Sequence, residues 1–230
     1  MRTAHKFLTV CALALAAHLP AAWAAGNGPM SMPSSSAGTQ MSPEIQARVF
    51  YNSGVKDVRK ADDLQASAAT LADDAKKTRA LNDAQKLYSS ALGKFQHSVQ
   101  LFPRTPEAWN YFGYTSRKLG NYENALQAYQ NALTLHPGFP EAIEYRGEAY
   151  LAVNRVADAQ QSYLELFATN RALAGKLLEA MKSWIATQRS ASAAGDLTAV
   201  NDLDKWVEER TQIAAQTASL TREGTAASWK

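Results

Sequence analysis

Adjacent carboxylates stand at Asp62-Asp63, Asp73-Asp74 and Glu208-Glu209, and acid–base catalysis would have to start from one of them. That work needs an acid held in a desolvated pocket. These pairs fall on helical or turn text that faces water, so they read as solvated charge. Metal chemistry has less to build on. Past the first two dozen residues the histidines are His97, in a helical stretch, and His136, in a turn before proline, with no cysteine and no second histidine one turn away. No GxSxG, phosphate-cradling loop or glycine-rich dinucleotide fingerprint occurs. The chain reads as non-catalytic, with no metal or cofactor implied.

The amino terminus carries an address. Arg2 and Lys6 precede an apolar run from Phe7 to Leu19, and Ala22-Trp23-Ala24 follows. This is the pattern of a secretory signal peptide over 1–24, cut after Ala24, and it predicts a periplasmic or secreted protein. An uncleaved anchor is the alternative, since the run nears spanning length; Pro20 breaks it. The single cysteine, Cys11, lies in the segment that leaves. Losing Arg2 and Lys6 takes the 24 basic residues to 22 against 21 acids, a balance that suggests neither nucleic acid nor an anionic membrane surface as partner, and no stable membrane insertion is expected once the leader is cut. From Ala25 the text is Gly, Asn, Pro, Ser and Met, too polar to offset chain entropy, and 25–41 is expected to be a flexible linker.

Helical text begins at Ser42-Pro43-Glu44, where serine can cap, proline suits the first helical position and an acid meets the positive end of the helix dipole. A large apolar residue stands four before glycine in Phe50…Gly54, Trp109…Gly113 and Ile143…Gly147. Ala91 and Phe95, Ala125 and Tyr129, Ala159 and Tyr163 then recur, and the step from each alanine to the next is the same, 34 (125 minus 91, 159 minus 125). Prolines close and open the units at Pro103 and Pro106, then Pro137 and Pro140, with Gly138 supplying a turn. In the first unit Gly54 to Ala91 spans 37 positions where the others span 12, so about 25 residues are inserted. The insertion has no proline or glycine and is rich in Ala, Asp, Lys and Leu, which predicts a hairpin longer by about 12 residues, or ~18 Å, on each side, turning near Asp73-Asp74. Arg171 to Gln188 forms an amphipathic helix, and Asp196 can cap a last one.

The order Trp109, Gly113, Gly120, Tyr122, Ala125, Tyr129, Ala132, Pro137 resembles the tetratricopeptide repeat (TPR) family, whose unit is a helix, a turn and a second helix. The resemblance covers about half of the processed chain and implies an all-α solenoid of antiparallel helix pairs. Its parts would be an elongated first hairpin over 42–105, full repeats over 106–139 and 140–170, capping helices over 171–216 and a flexible tail over 217–230, with Trp229 unexplained. Terminal units of stacked repeats are atypical because each must cover one apolar face and offer the other to water.

In that family the first helices line a concave groove that takes an extended peptide or a partner's helix. Carried onto this sequence, the groove face comprises Arg48, Tyr51, Asn52 and Val55; then Glu107, Asn110, Tyr111, Tyr114, Arg117 and Lys118; then Glu141, Glu144, Tyr145, Glu148 and Leu151. Tyrosine offers rigid apolar area with a polar tip, and asparagine can pair with donor and acceptor of a peptide backbone. The surface suits a chain with apolar side groups and some positive charge. Two readings stay open beside it: the tyrosines can pack between adjacent helices, and Glu141, Glu144 and Glu148 can be a solvated helix face. The family's basic clamp for a terminal carboxylate is not reproduced, because Glu141 and Tyr145 stand where basic or amide groups are needed. The implied function is an interaction adaptor of a bacterial envelope with a protein partner. The alternative is a scaffold that self-associates through the long hairpin or the C-terminal helices.

Overall fold

The computed structural model describes residues 41–191 and 197–226, with side chains to 218. The proposed leader, the linker through Gln40, the Asp196 cap and Trp229 lie outside the described residues. Within them the chain forms eight helices and no strand: α1 Pro43–Thr70, α2 Asp74–Leu101, α3 Pro106–Lys118, α4 Tyr122–Leu135, α5 Pro140–Ala152, α6 Val156–Thr169, α7 Arg171–Ala191 and α8 Thr198–Ala226. They stack as antiparallel pairs in a TPR-like solenoid, α1 on α2, α3 on α4, α5 on α6 and α7 on α8. First helices also touch one another, α1 on α3, α3 on α5 and α5 on α7.

Local chemistry accounts for the starts and turns. The Ser42 hydroxyl accepts the Ile45 N–H at 3.3 Å, and the Asp73 carboxylate accepts the Lys76 N–H at 3.0 Å. Prolines occupy the first position of α1, α3 and α5, where a missing N–H costs nothing. The turns after α3 and α5 are copies of each other, one repeat apart. Gly120 has φ +80° and Asn154 φ +59°, and the next residue's N–H reaches back to Ser116 O or Tyr150 O at 2.8 Å. Glycine and asparagine are the residues that take this left-handed conformation at low cost.

The glycines of the pentads face the returning helix. A Cβ on Gly54 would stand 2.7 Å from the Phe95 ring, and one on Gly113 2.6 Å from the Tyr129 ring. In the third unit the place is taken from further along the chain, since a Cβ on Gly147 would meet Leu177 of α7 at 2.6 Å. Tyr163 turns instead to Trp206, at 5.2 Å between ring centroids. The largest core cluster therefore lies at this end, with Ile143, Tyr163, Leu166, Leu177, Met181, Leu203 and Val207 buried together.

The inserted residues divide unevenly. Eleven extend α1, since Gly54 stands 16 before its helix end where Gly113 and Gly147 stand 5 before theirs. Fourteen extend α2, since Ala91 stands 17 past its helix start where Ala125 and Ala159 stand 3 past theirs. The turn falls at Leu71–Asp73, just ahead of the expected place, because Asp73 serves as the cap of α2. At the other end α8 continues to Ala226, where a flexible tail is expected from Thr217. Thr217 itself is tied in, accepting from Arg171 at 3.2 Å.

Candidate functional site

On α3, positions 110, 111 and 114 share one face, because residues one turn apart overlie each other in a helix. That face meets α1 on one side and α5 on the other, and a cavity of about 310 Å³ opens between the three helices. Val58, Arg59 and Asp62 of α1, Glu107, Asn110, Tyr111 and Tyr114 of α3, and Glu141 and Tyr145 of α5 line it, with Phe139 at the start of α5. A row of aromatic rings runs along the wall. Tyr51 meets Tyr111 at 5.8 Å and 75°, Tyr111 meets Tyr114 at 6.5 Å and 71°, and Tyr114 meets Tyr145 at 5.0 Å and 56°. Tyr111 also stacks on Phe95 of the core, 5.3 Å away. The tyrosines thus join helices to one another and present an edge to the cavity.

Asp62 is the fixed point of the cavity floor. Tyr114 donates its hydroxyl to Asp62 Oδ1 at 2.7 Å, and Tyr88 of α2 donates to the same oxygen. Burial pushes both tyrosyl groups well above the ordinary phenol range, and the carboxylate that accepts from them adds to the shift. Asp62 Oδ2 has no hydrogen-bond partner among the described residues. Lys118 donates to Gln65, and its ammonium lies 5.5 Å from the Tyr88 ring centre and 5.6 Å from that of Tyr114. Behind the rings Arg117 sits 5.4 Å from the centres of both Tyr114 and Tyr145, paired with Glu148 of α5. Burial works against the Arg117 cation, and Glu148 together with the Tyr129 and Tyr114 hydroxyls more than restores it, so its pKa lies above the ordinary value. Burial pushes the Tyr145 hydroxyl up to about 12.

Of the residues proposed for the groove, Asn110, Tyr111, Tyr114, Glu141 and Tyr145 come together around this cavity. Tyr51 and Asn52 line a neighbouring hollow of about 250 Å³ with Glu44, Arg48 and Phe102. Arg117 and Glu148 border a third, of about 290 Å³, with Tyr122 and Trp184. Glu144 departs from the expectation of an open groove face or a solvated one. It is 3% exposed, because α7 lies across α5 at this level and closes over it. Burial pushes its carboxyl up to about 8, with Glu148 beside it adding to the shift.

Sequence reasoning missed Arg59 and Asp62. The standard unit length placed the first-unit groove face no further than Val55, and Asp62 was paired in the reading with Asp63, which is indeed exposed. The signal was present: Tyr51, Val55, Val58 and Asp62 fall at steps of four, three and four, a continuous stripe on one helix face.

Residues 113–154, from the close-contact glycine of α3 to the left-handed asparagine after α5, match the protein family described as TPR repeat. This match supports the tetratricopeptide repeat family for the stack. No curated protein matches it. TPR units generally mediate protein–protein interaction, and an all-helical TPR fold is typically a non-catalytic interaction module. Among the described residues no three His, Cys, Asp or Glu side chains gather as a metal site, and no helix is long and apolar enough to cross a membrane.

Proposed function

We propose that this TPR protein is a non-catalytic adaptor of the bacterial cell envelope, exported by its leader to the periplasm or beyond, which holds an extended peptide or a helix of a partner protein along its first helices. The observation that carries the reading is the cavity between α1, α3 and α5, where tyrosine edges supply apolar area beside the carboxylates of Asp62, Glu107 and Glu141. The test is a crosslinked pull-down from the envelope fraction with the wild-type chain and with Glu107→Lys plus Glu141→Lys. Both residues stand at the rim, outside the buried core, so the fold should survive. Partner capture that is unchanged in the double variant refutes the assignment of this cavity.

A scaffold that self-associates has one observation in its favour. Met41, Ile45 and Val49 repeat at one-turn spacing by α1 and are 53%, 40% and 53% exposed, an uncovered apolar stripe at the first end of the stack. Sedimentation of the wild type against Ile45→Ser plus Val49→Ser decides it: an oligomer that dissociates in the variant supports the scaffold.

A further inference from the structure

The cavity between α1, α3 and α5 has a charge character that the general adaptor reading does not specify. Three carboxylates, Asp62, Glu107 and Glu141, line it against one guanidinium, Arg59. None of the four has an ion-pair partner among the described residues, although ion pairs form elsewhere, as between Lys94 and Asp57 or Arg146 and Glu165. Asp62 is fixed by two tyrosyl hydroxyls on one oxygen, which leaves Oδ2 as a positioned, unoccupied acceptor. The three carboxylates call for hydrogen-bond donors and positive charge, against the single cation of Arg59 on the wall. The tyrosine edges between them offer apolar surface to an alkyl stem.

We infer that this cavity is a specificity pocket for a basic side chain, lysine or arginine, of the partner segment, with the cation on Asp62 Oδ2 between Glu107 and Glu141 and the stem along Tyr111 and Tyr145. The inference rests on the groove reading above and names what that groove selects. A carboxylate-ended or acidic segment would meet three like charges and is rejected. Chain length agrees, because a lysine or arginine stem spans several bonds and can bury its methylenes while its head reaches the cavity floor. A charge-assisted hydrogen bond to a fixed carboxylate is stronger than one between neutral groups, so one such contact can decide selectivity.

The experiment is a titration of the full, isotope-labelled chain, followed through its amide spectrum, with three capped pentapeptides, Ala-Tyr-Xaa-Leu-Ala, where Xaa is lysine, acetyl-lysine or glutamate. The lysine peptide is expected to shift the amides of Asp62, Asn110, Tyr111 and Tyr145 saturably. Acetylation, Asp62→Asn or Glu141→Gln should each weaken it by about tenfold, the loss expected of one charge-assisted contact. Glu141 is exposed on the rim, so its variant keeps the test valid if Asp62→Asn disturbs the tyrosines. If all three peptides shift the same amides with equal affinity, the groove binds peptide but the basic specificity is overturned. If none of them perturbs these amides at about millimolar concentration, both the specificity and the groove reading fall.

Discussion

Glu144 makes the interior of the stack answerable to pH. It lies on α5 beside Glu148, whose charge is already matched by Arg117, and Lys176 of α7 is the other cation acting on it. Its carboxyl is shifted from the ordinary 4.5 up to about 8, first by burial and then by Glu148. Between those values the unfolded chain has released the proton that the folded chain keeps, so the folded state binds more protons and stability falls as pH rises. The contribution is whole below pH 4.5 and gone once pH has passed through 8. At ~1.4 kcal/mol per unit, the gap of 8 minus 4.5 sets a ceiling of about 5 kcal/mol, of which about 3 kcal/mol is lost by pH 7. Glu144→Gln keeps size and polarity and cannot ionise. Its unfolding free energy relative to the wild type should climb by about 3 kcal/mol from pH 4.5 to 7 and flatten above 8. Urea unfolding of both proteins at several pH values gives the difference directly, and the titrating groups that do not interact with Glu144 cancel in it. A difference that stays level across that range refutes the placement of a neutral acid at this point in the core.

The repeat geometry yields two further predictions. Gly113→Ala sets a methyl 2.6 Å from the ring of fully buried Tyr129 and should destabilise by about 1–3 kcal/mol, whereas Gly93→Ala, with nothing within 4 Å, should stabilise by up to ~1 kcal/mol in thermal unfolding. Gly120→Ala, at φ +80°, should cost about 1–2 kcal/mol, and Asn154→Gly at the matching turn should change stability by less than ~1 kcal/mol, as read from denaturant midpoints.

The backbone plan was legible in the text because each repeat carries its own constraints. Gly54, Gly113 and Gly147 recur at a place where no side chain fits, and the alanines at 91, 125 and 159 recur at full burial. Such demands leave single-residue marks. Contacts between units leave weaker ones. The burial of Glu144 depends on how far α7 covers α5, and the replacement of Tyr163 by Leu177 against Gly147 depends on the angle at which a degenerate unit docks. Neither is encoded by the spacing within a repeat. Asp62 was hidden for a different reason, since its role depends on a helix longer than the family's.

That length is what creates the floor of the cavity. First helices of ordinary size end five positions past their glycine, at Lys118 and Ala152, so an ordinary α1 would stop at Arg59 and contain no Asp62. Tyr88 is the counterpart of Tyr122, the residue that opens α4, so an ordinary α2 would begin there. Replacing 60–87 with the Leu-Gly-Asn turn of the second unit shortens the step from Gly54 to Ala91 from 37 to 12, the standard spacing. The Gly54–Phe95 contact lies outside the excised stretch, so the shortened chain should still fold as a helical stack. Stability should drop, because Tyr114 and Leu119 lose the cover of Ala61, Ala84 and Leu87. Circular dichroism and thermal unfolding establish the fold, and the lysine pentapeptide then reports on function. With Asp62 gone and Tyr88, Tyr111 and Tyr145 retained, the preference for lysine over acetyl-lysine should vanish. A shortened, folded protein that keeps the preference would show that the cation is held elsewhere and that the long hairpin serves some other end.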